Sequence, residues 1–145
     1  MDNANVWFIT VKGASADLMK AITCIINSTI FTVLGKSGAN PQSGGYYKFN
    51  KQFLMPIPFP IDAINEKAEC VNVLSKYYSD ISELQEQYLS ASSNIKGVIA
   101  RQLRQLWYEL DEICYALYKV TAQEKQQIIN MGRTVSRIEL LNGVK

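Results

Sequence analysis

The stretch IARQLRQLWYELDEICYALYKV, Ile99 to Val120, decides how the second half of the chain folds. Within it Ile99, Leu103, Leu106, Leu110, Ile113, Leu117 and Val120 follow one another at alternating steps of four and three. That spacing gathers all of them on one stripe of an α-helix, the pattern of a seam against a second helix. A partner lies just upstream, where Ile64, Val71, Leu74, Tyr78, Ile81, Leu84 and Tyr88 form another apolar stripe interspersed with Glu and Lys. The polar segment SASSN, Ser90 to Asn94, separates the two. Two long antiparallel helices are therefore expected, the first starting at Asp62 as N-cap. Thr121-Ala-Gln-Glu124 has capping-box spacing and should start a third helix running to about Met131, before Gly132. Residues 133–145 read as a short helix or a tail.

Upstream of Asp62 the texture changes. Pro56, Pro58 and Pro60 deny a continuing helix or a central strand. Before them, KSGANPQSGG from Lys36 to Gly45 has almost no large apolar residue and reads as loop, and Tyr46-Tyr47-Lys48-Phe49 as a short strand. VWFITV, Val6 to Val11, is β-branched and aromatic and reads as another strand. Ser15 can cap the next helix, Asp17 favours its dipole, and Leu18, Ile22, Ile25, Ile26, Thr29, Ile30 and Val33 recur at helical spacing until about Gly35. The expected fold class is α+β: a small strand-helix-strand unit in residues 1–60, then a long antiparallel helical hairpin and a short C-terminal helix in 61–145.

The chain of 145 residues is long enough for one core, and 48% hydrophobic with 19% charged residues is a globular composition. Net charge is only +2, but residues 1–60 hold five lysines against Asp2 and Asp17, whereas 61–145 hold ten bases against eleven acids. An anion-facing surface is expected in the first part. Cys24, Cys70 and Cys114 are widely spaced, and the sequence has no histidine, so no zinc site is expected and the thiols read as reduced in a cytoplasmic protein. The apolar run Leu18 to Leu34 is too short and too polar to span a bilayer, and Met1-Asp-Asn lacks the basic start of a signal peptide. No membrane partner is expected.

Catalytic motifs are missing: there is no GxGxxG, Walker loop, HExxH, GxSxG or EF-hand spacing. Asp111 with Glu112, and Glu83 with Glu86, read as solvated helix faces rather than acid/base pairs. No base accompanies any cysteine, so no activated nucleophile is visible. The chain by itself is not expected to be an enzyme, and its catalytic and metal residues are expected to be none.

Lys48 and Lys51 flank Tyr46, Tyr47, Phe49 and Phe53 directly after the glycine loop. Such a basic-aromatic strand suits phosphate anchoring with contacts to base edges, or, alternatively, the aromatics cover the helical core while the lysines are solvated. The order Ile25-Ile-Asn-Ser28, Gly44-Gly-Tyr-Tyr-Lys48-Phe and Phe53-Leu-Met-Pro-Ile-Pro58 resembles the TaqI-like C-terminal specificity domain of type II adenine-specific DNA methyltransferases and fused restriction-modification enzymes. Asp111-Glu-Ile-Cys-Tyr-Ala-Leu-Tyr118, followed by Thr121-Ala-Gln-Glu124, is similar to that family's closing helix. The resemblance covers most of residues 5–131; Ile26 stands where the family usually has leucine.

The resemblance implies DNA target recognition by the C-terminal part of a larger polypeptide, with double-stranded DNA and the parent's catalytic region as partners. S-adenosylmethionine would belong to that absent catalytic region and not to this chain. Asn27-Ser28 and the prolines would be structural. On this reading Lys36, Lys48 and Lys51 contact phosphates, and Asn40, Gln42, Ser43 and Tyr46 reach base edges. The competing expectation is a protein-interaction module, or a homodimer, held through the Ile99–Val120 seam.

Overall fold

The computed structural model describes residues 9–41, 47–48 and 51–132, and among them the architecture is helical. Helices α1 (Ala16–Ile26), α2 (Thr29–Gly38), α3 (Lys51–Leu54), α4 (Ile61–Glu66), α5 (Ala68–Ser90), α6 (Ser93–Leu117) and α7 (Ala122–Gly132) follow in chain order. The α+β expectation is thus corrected. The β pairing among the described residues is a ladder of two residues on each side, Asn40 opposite Lys48 and Pro41 opposite Tyr47, antiparallel. A ladder this short builds no layer, because sheets need several longer strands to bury a face. Of the expected strand Val6–Val11, Ile9 to Val11 are not in a strand and Ile9 and Val11 are exposed, while Val6 to Phe8 lie outside the described residues. β-branched composition favours a strand only where a neighbour supplies ladder bonds and a face to cover. Of the expected strand Tyr46–Phe49, Tyr47 and Lys48 are paired, while Tyr46 and Phe49 lie outside the described residues.

The first helix starts as the sequence dictates. Ser15 accepts from the Leu18 amide at 3.1 Å and Asp17 sits in the first turn. It does not run on to Gly35. Asn27 Nδ2 donates to the Thr23 carbonyl at 2.8 Å and Ser28 Oγ to the Ile25 carbonyl at 2.6 Å, so side chains satisfy the last carbonyls of α1. Ser28 then takes an extended conformation as N-cap of α2, and the two helices bend by 63°. The apolar period passes through this bend undisturbed because both helices bury the same sequence stripe.

The helical pair is present with shifted ends. Asp62 is not the N-cap; it lies in the first turn of the short α4, whose N-cap is Pro60, and α5 begins only after Lys67 adopts a non-helical conformation. The turn between α5 and α6 is Ala91-Ser92. The capping box forms in both directions: the Glu124 amide donates to Thr121 Oγ1 at 3.3 Å, and the Thr121 amide and hydroxyl donate to Glu124 Oε2 at 2.7 and 2.8 Å.

Packing places α5 against both α1 and α6, while α2, turned by the bend, reaches α6 and α7. One buried cluster joins Ala21, Cys24 and Ile25 of α1, Ile30 of α2, Ile64 of α4, Leu74 and Ile81 of α5, and Leu103, Trp107 and Leu110 of α6. That cluster runs across residue 60. Within the seam Ile99, Leu103, Leu110 and Leu117 are buried, and Leu106, Ile113 and Val120 pack partly buried against the core. Each fully covered leucine or isoleucine contributes about 2 kcal/mol through loss of apolar surface to water. Polar ties fix the register: Ser75 Oγ donates to Asp17 at 2.6 Å between α5 and α1, and Tyr77 Oη to Glu109 at 2.9 Å between α5 and α6.

Candidate nucleic-acid interface

Of the positions expected to meet DNA, the described ones, Lys36, Asn40, Lys48 and Lys51, lie around the C-terminal end of α2. Lys36 lies in its last turn, and the Lys36 carbonyl accepts from the Ala39 amide at 3.3 Å as the helix closes. The chain leaves into Asn40-Pro41, which pairs with Tyr47-Lys48, and Lys51 opens α3, which packs on α2. Lys36, Asn40, Lys48 and Lys51 therefore share one region, although the first and last are 15 positions apart in the chain. The expected loop Lys36–Gly45 begins later than its composition suggests, since Lys36 to Gly38 are helical. Gln42, Ser43 and Tyr46 lie outside the described residues. Lys36 also sits at the negative end of the α2 dipole, which favours positive charge in the absence of any ligand.

Behind this region lies a junction that sequence reasoning missed. Asp111, taken as part of a solvated face, is buried, with 5% of its surface exposed. Its Oδ1 accepts from the Thr29 amide at 2.8 Å and its Oδ2 from the Thr29 hydroxyl at 2.5 Å, across 82 residues of sequence. The Thr29 amide is one of the donors that a helix start leaves without an intrahelical partner, and a carboxylate is the strongest acceptor to place there. Burial pushes the Asp111 carboxyl above the usual carboxylate range, and the two bonds from Thr29 only partly oppose it. Glu112, its neighbour, is the solvated member and pairs with Lys125 of α7 at 2.6 Å. The signal available in the sequence is position: Asp111 directly follows the seam residue Leu110, while Ser28-Thr29 is a helix start whose donors need an acceptor. Glu83 and Glu86 are exposed, as read.

Cys24 donates to the Leu74 carbonyl at 3.3 Å, and burial pushes its thiol up to about 12. Burial likewise raises Cys114, helped by the nearby Asp111, and Cys70, against a smaller opposing effect of Lys67. All three shifts run opposite to the depressed pKa of a reactive thiolate. An open pocket of about 100 Å³ between α1, α5 and α6 is lined by Thr23, Asn27, Tyr78, Ser82, Gln85 and Trp107 and has no carboxylate in its wall. Among the described residues no group of three His, Cys, Asp or Glu could hold a metal ion, and no single helix is long and apolar enough to cross a membrane. Compared with family models, curated proteins and solved structures, the chain matches none.

Proposed function

We propose that this chain is a DNA target-recognition region: a non-catalytic specificity part of an adenine-specific DNA methyltransferase or restriction-modification enzyme. The observation that carries the reading is the pairing of Asn40 with Lys48 and Pro41 with Tyr47. It brings the two flanks of the polar glycine segment together and the positions of three lysines and an asparagine to one end of a buttressed helix. Lysines there neutralise phosphates, and the polar residues of the loop, Asn40, Gln42, Ser43 and Tyr46, reach base edges. A second support is internal to the resemblance. The segment ending at Ser28 and the closing helix from Asp111 are tied through Thr29. Both motifs thereby have a structural use and need no catalytic one. The parent's catalytic region would supply methyl transfer from S-adenosylmethionine.

Binding to random-sequence duplex DNA, followed by fluorescence anisotropy at two salt concentrations, tests the proposal. Wild-type affinity should fall with salt. Lys48→Ala/Lys51→Ala should weaken binding to all sequences alike and reduce the slope of log K against log salt by about 2, at roughly 0.9 per phosphate contact. Identical affinity and slope in wild type and double variant would remove these lysines from the interface. If the wild type fails to bind at low salt, alone and within the parent polypeptide, the DNA reading is lost.

A further inference from the structure

We infer that the pocket between α1, α5 and α6 is a binding site for a small uncharged ring bearing an amide, as a lactam or a carboxamide; the inference stands apart from the DNA reading above. Helices α1 and α5 pack together, with Ala21, Ile25 and Leu74 in the common core, and beside that contact a pocket opens between them with Trp107 of α6 in its wall. Thr23 and Asn27 are about one turn apart on α1, and Tyr78, Ser82 and Gln85 follow at steps of four and three on α5, so each set lies along one face of its helix. The face that a helix turns toward its neighbours is ordinarily apolar, yet here uncharged hydrogen-bonding side chains line both. Buried Cys24, Ile81 and Trp107 supply the apolar part. Burial pushes the Cys24 thiol up to about 12, so it stays protonated at neutral pH and offers no covalent chemistry.

Charge and size set the ligand class. No Asp, Glu, Lys or Arg lines the pocket, and Lys20 nearby donates to Ser79 at 3.4 Å, outside the lining. An ion entering it would lose water and gain no counter-charge, so the ligand is neutral. Its polar groups must still find partners. The Thr23 hydroxyl donates to the Met19 carbonyl at 2.9 Å, which leaves its oxygen as an acceptor. The side chains of Ser82, half-buried, and Gln85, exposed, are engaged by no other described residue and supply donors and acceptors toward the open side. An amide edge, a donor beside an acceptor, complements that set. Asn27 and Trp107 have interactions of their own and serve as walls. The volume is about 100 Å³, less than the roughly 150 Å³ of an engineered cavity that encloses benzene, so one ring enters with its edge at the open side. A nucleotide or S-adenosylmethionine needs several times more space.

Benzamide, toluene and benzoate are the probes: the ring with the amide, without it, and with an anion of the same shape. Each is titrated into the isotope-labelled chain while the indole N–H signal of Trp107 is followed by NMR, the signals of Trp7 and Trp107 being told apart with Trp7→Phe. Benzamide should move the Trp107 signal saturably, with Kd on the order of 1 mM, and toluene and benzoate should bind at least about tenfold more weakly. Ser82→Ala/Gln85→Leu should weaken benzamide about tenfold and leave toluene unchanged. An unmoved Trp107 signal, or toluene or benzoate matching benzamide, overturns the inference. So does a double variant that binds benzamide like wild type. Should the double variant not fold, Gln85→Leu alone, at an exposed position, decides: unchanged benzamide affinity overturns the inference and a severalfold loss supports it.

Discussion

Asp111 and Thr29 are the pair on which most depends at the scale of single residues. Removing the carboxylate in Asp111→Ala leaves a buried amide and a buried hydroxyl without an acceptor, which costs about 1–3 kcal/mol per group. Ionisation of Asp111 works against burial, and its pKa in the folded chain is raised. The folded chain therefore holds that proton more tightly than the unfolded chain does. The stability Asp111 contributes is fully present below the unfolded carboxylate pKa of about 3.9 and is lost as pH rises through the folded value. Asp111→Asn cannot ionise and lacks this component. Urea midpoints measured from pH 3 to pH 8 should show wild type losing ground to Asp111→Asn as pH rises from the acid end, then running parallel to it. A wild type that gains on Asp111→Asn over that range would mean that the bonds from Thr29 outweigh burial. This role was not visible in the sequence, because what buries Asp111 is a helix start 82 positions away. A carboxylate beside a helical seam is usually solvated, as Glu112 is.

Helix ends show which local signals are sufficient. Thr121 and Glu124 formed the capping box expected from four letters of sequence, since each partner needs only the other. The end of α6 is less comfortable. Lys119 adopts φ of 54°, the Lys119 amide bonds the Ala116 carbonyl and the Val120 amide bonds the Tyr115 carbonyl, so a non-glycine residue sits at the left-handed position of a Schellman turn. Relieving the clash of its Cβ with the backbone should stabilise the fold, and Lys119→Gly should raise the unfolding free energy by about 1 kcal/mol. Lys119→Ala, which keeps the Cβ, should not. Chemical denaturation of the two variants side by side separates this backbone effect from loss of the lysine charge. The bend at Asn27-Ser28 lies between these cases. Periodicity of Leu18, Ile22, Ile25, Ile30 and Val33 records which face is buried and carries no information about axis direction, so one helix was expected where two form.

For the whole molecule, the distinction between local and non-local information explains what the sequence could deliver. The α5–α6 pair was readable because its stripes are long and its register is set by the chain itself. The strands were not, because four to six β-prone residues specify a strand only in the presence of a partner, and the described chain offers the Tyr47-Lys48 segment only two positions. The gathering of the Lys36, Asn40, Lys48 and Lys51 positions follows from the pairing of Asn40 with Lys48 and from α3 packing on α2, neither of which the loop reading of Lys36–Gly45 indicated. The same reasoning decides between a seam used within one chain and a seam used between copies. Leu110 is fully buried and lies in the cluster that also contains Leu74 of α5 and Cys24 of α1. Leu110→Ala should therefore lower stability by about 2–5 kcal/mol, as truncations in a packed core do. Were the Ile99–Val120 stripe the interface of a homodimer, dissociation would accompany unfolding, and the thermal midpoint of wild type and variant would rise with protein concentration. With the stripe covered by the chain's own helices, both midpoints should stay fixed across a hundredfold range of concentration, with Leu110→Ala lower throughout. A midpoint that climbs with concentration would move the seam to the outside of the protomer and revive the interaction-module reading.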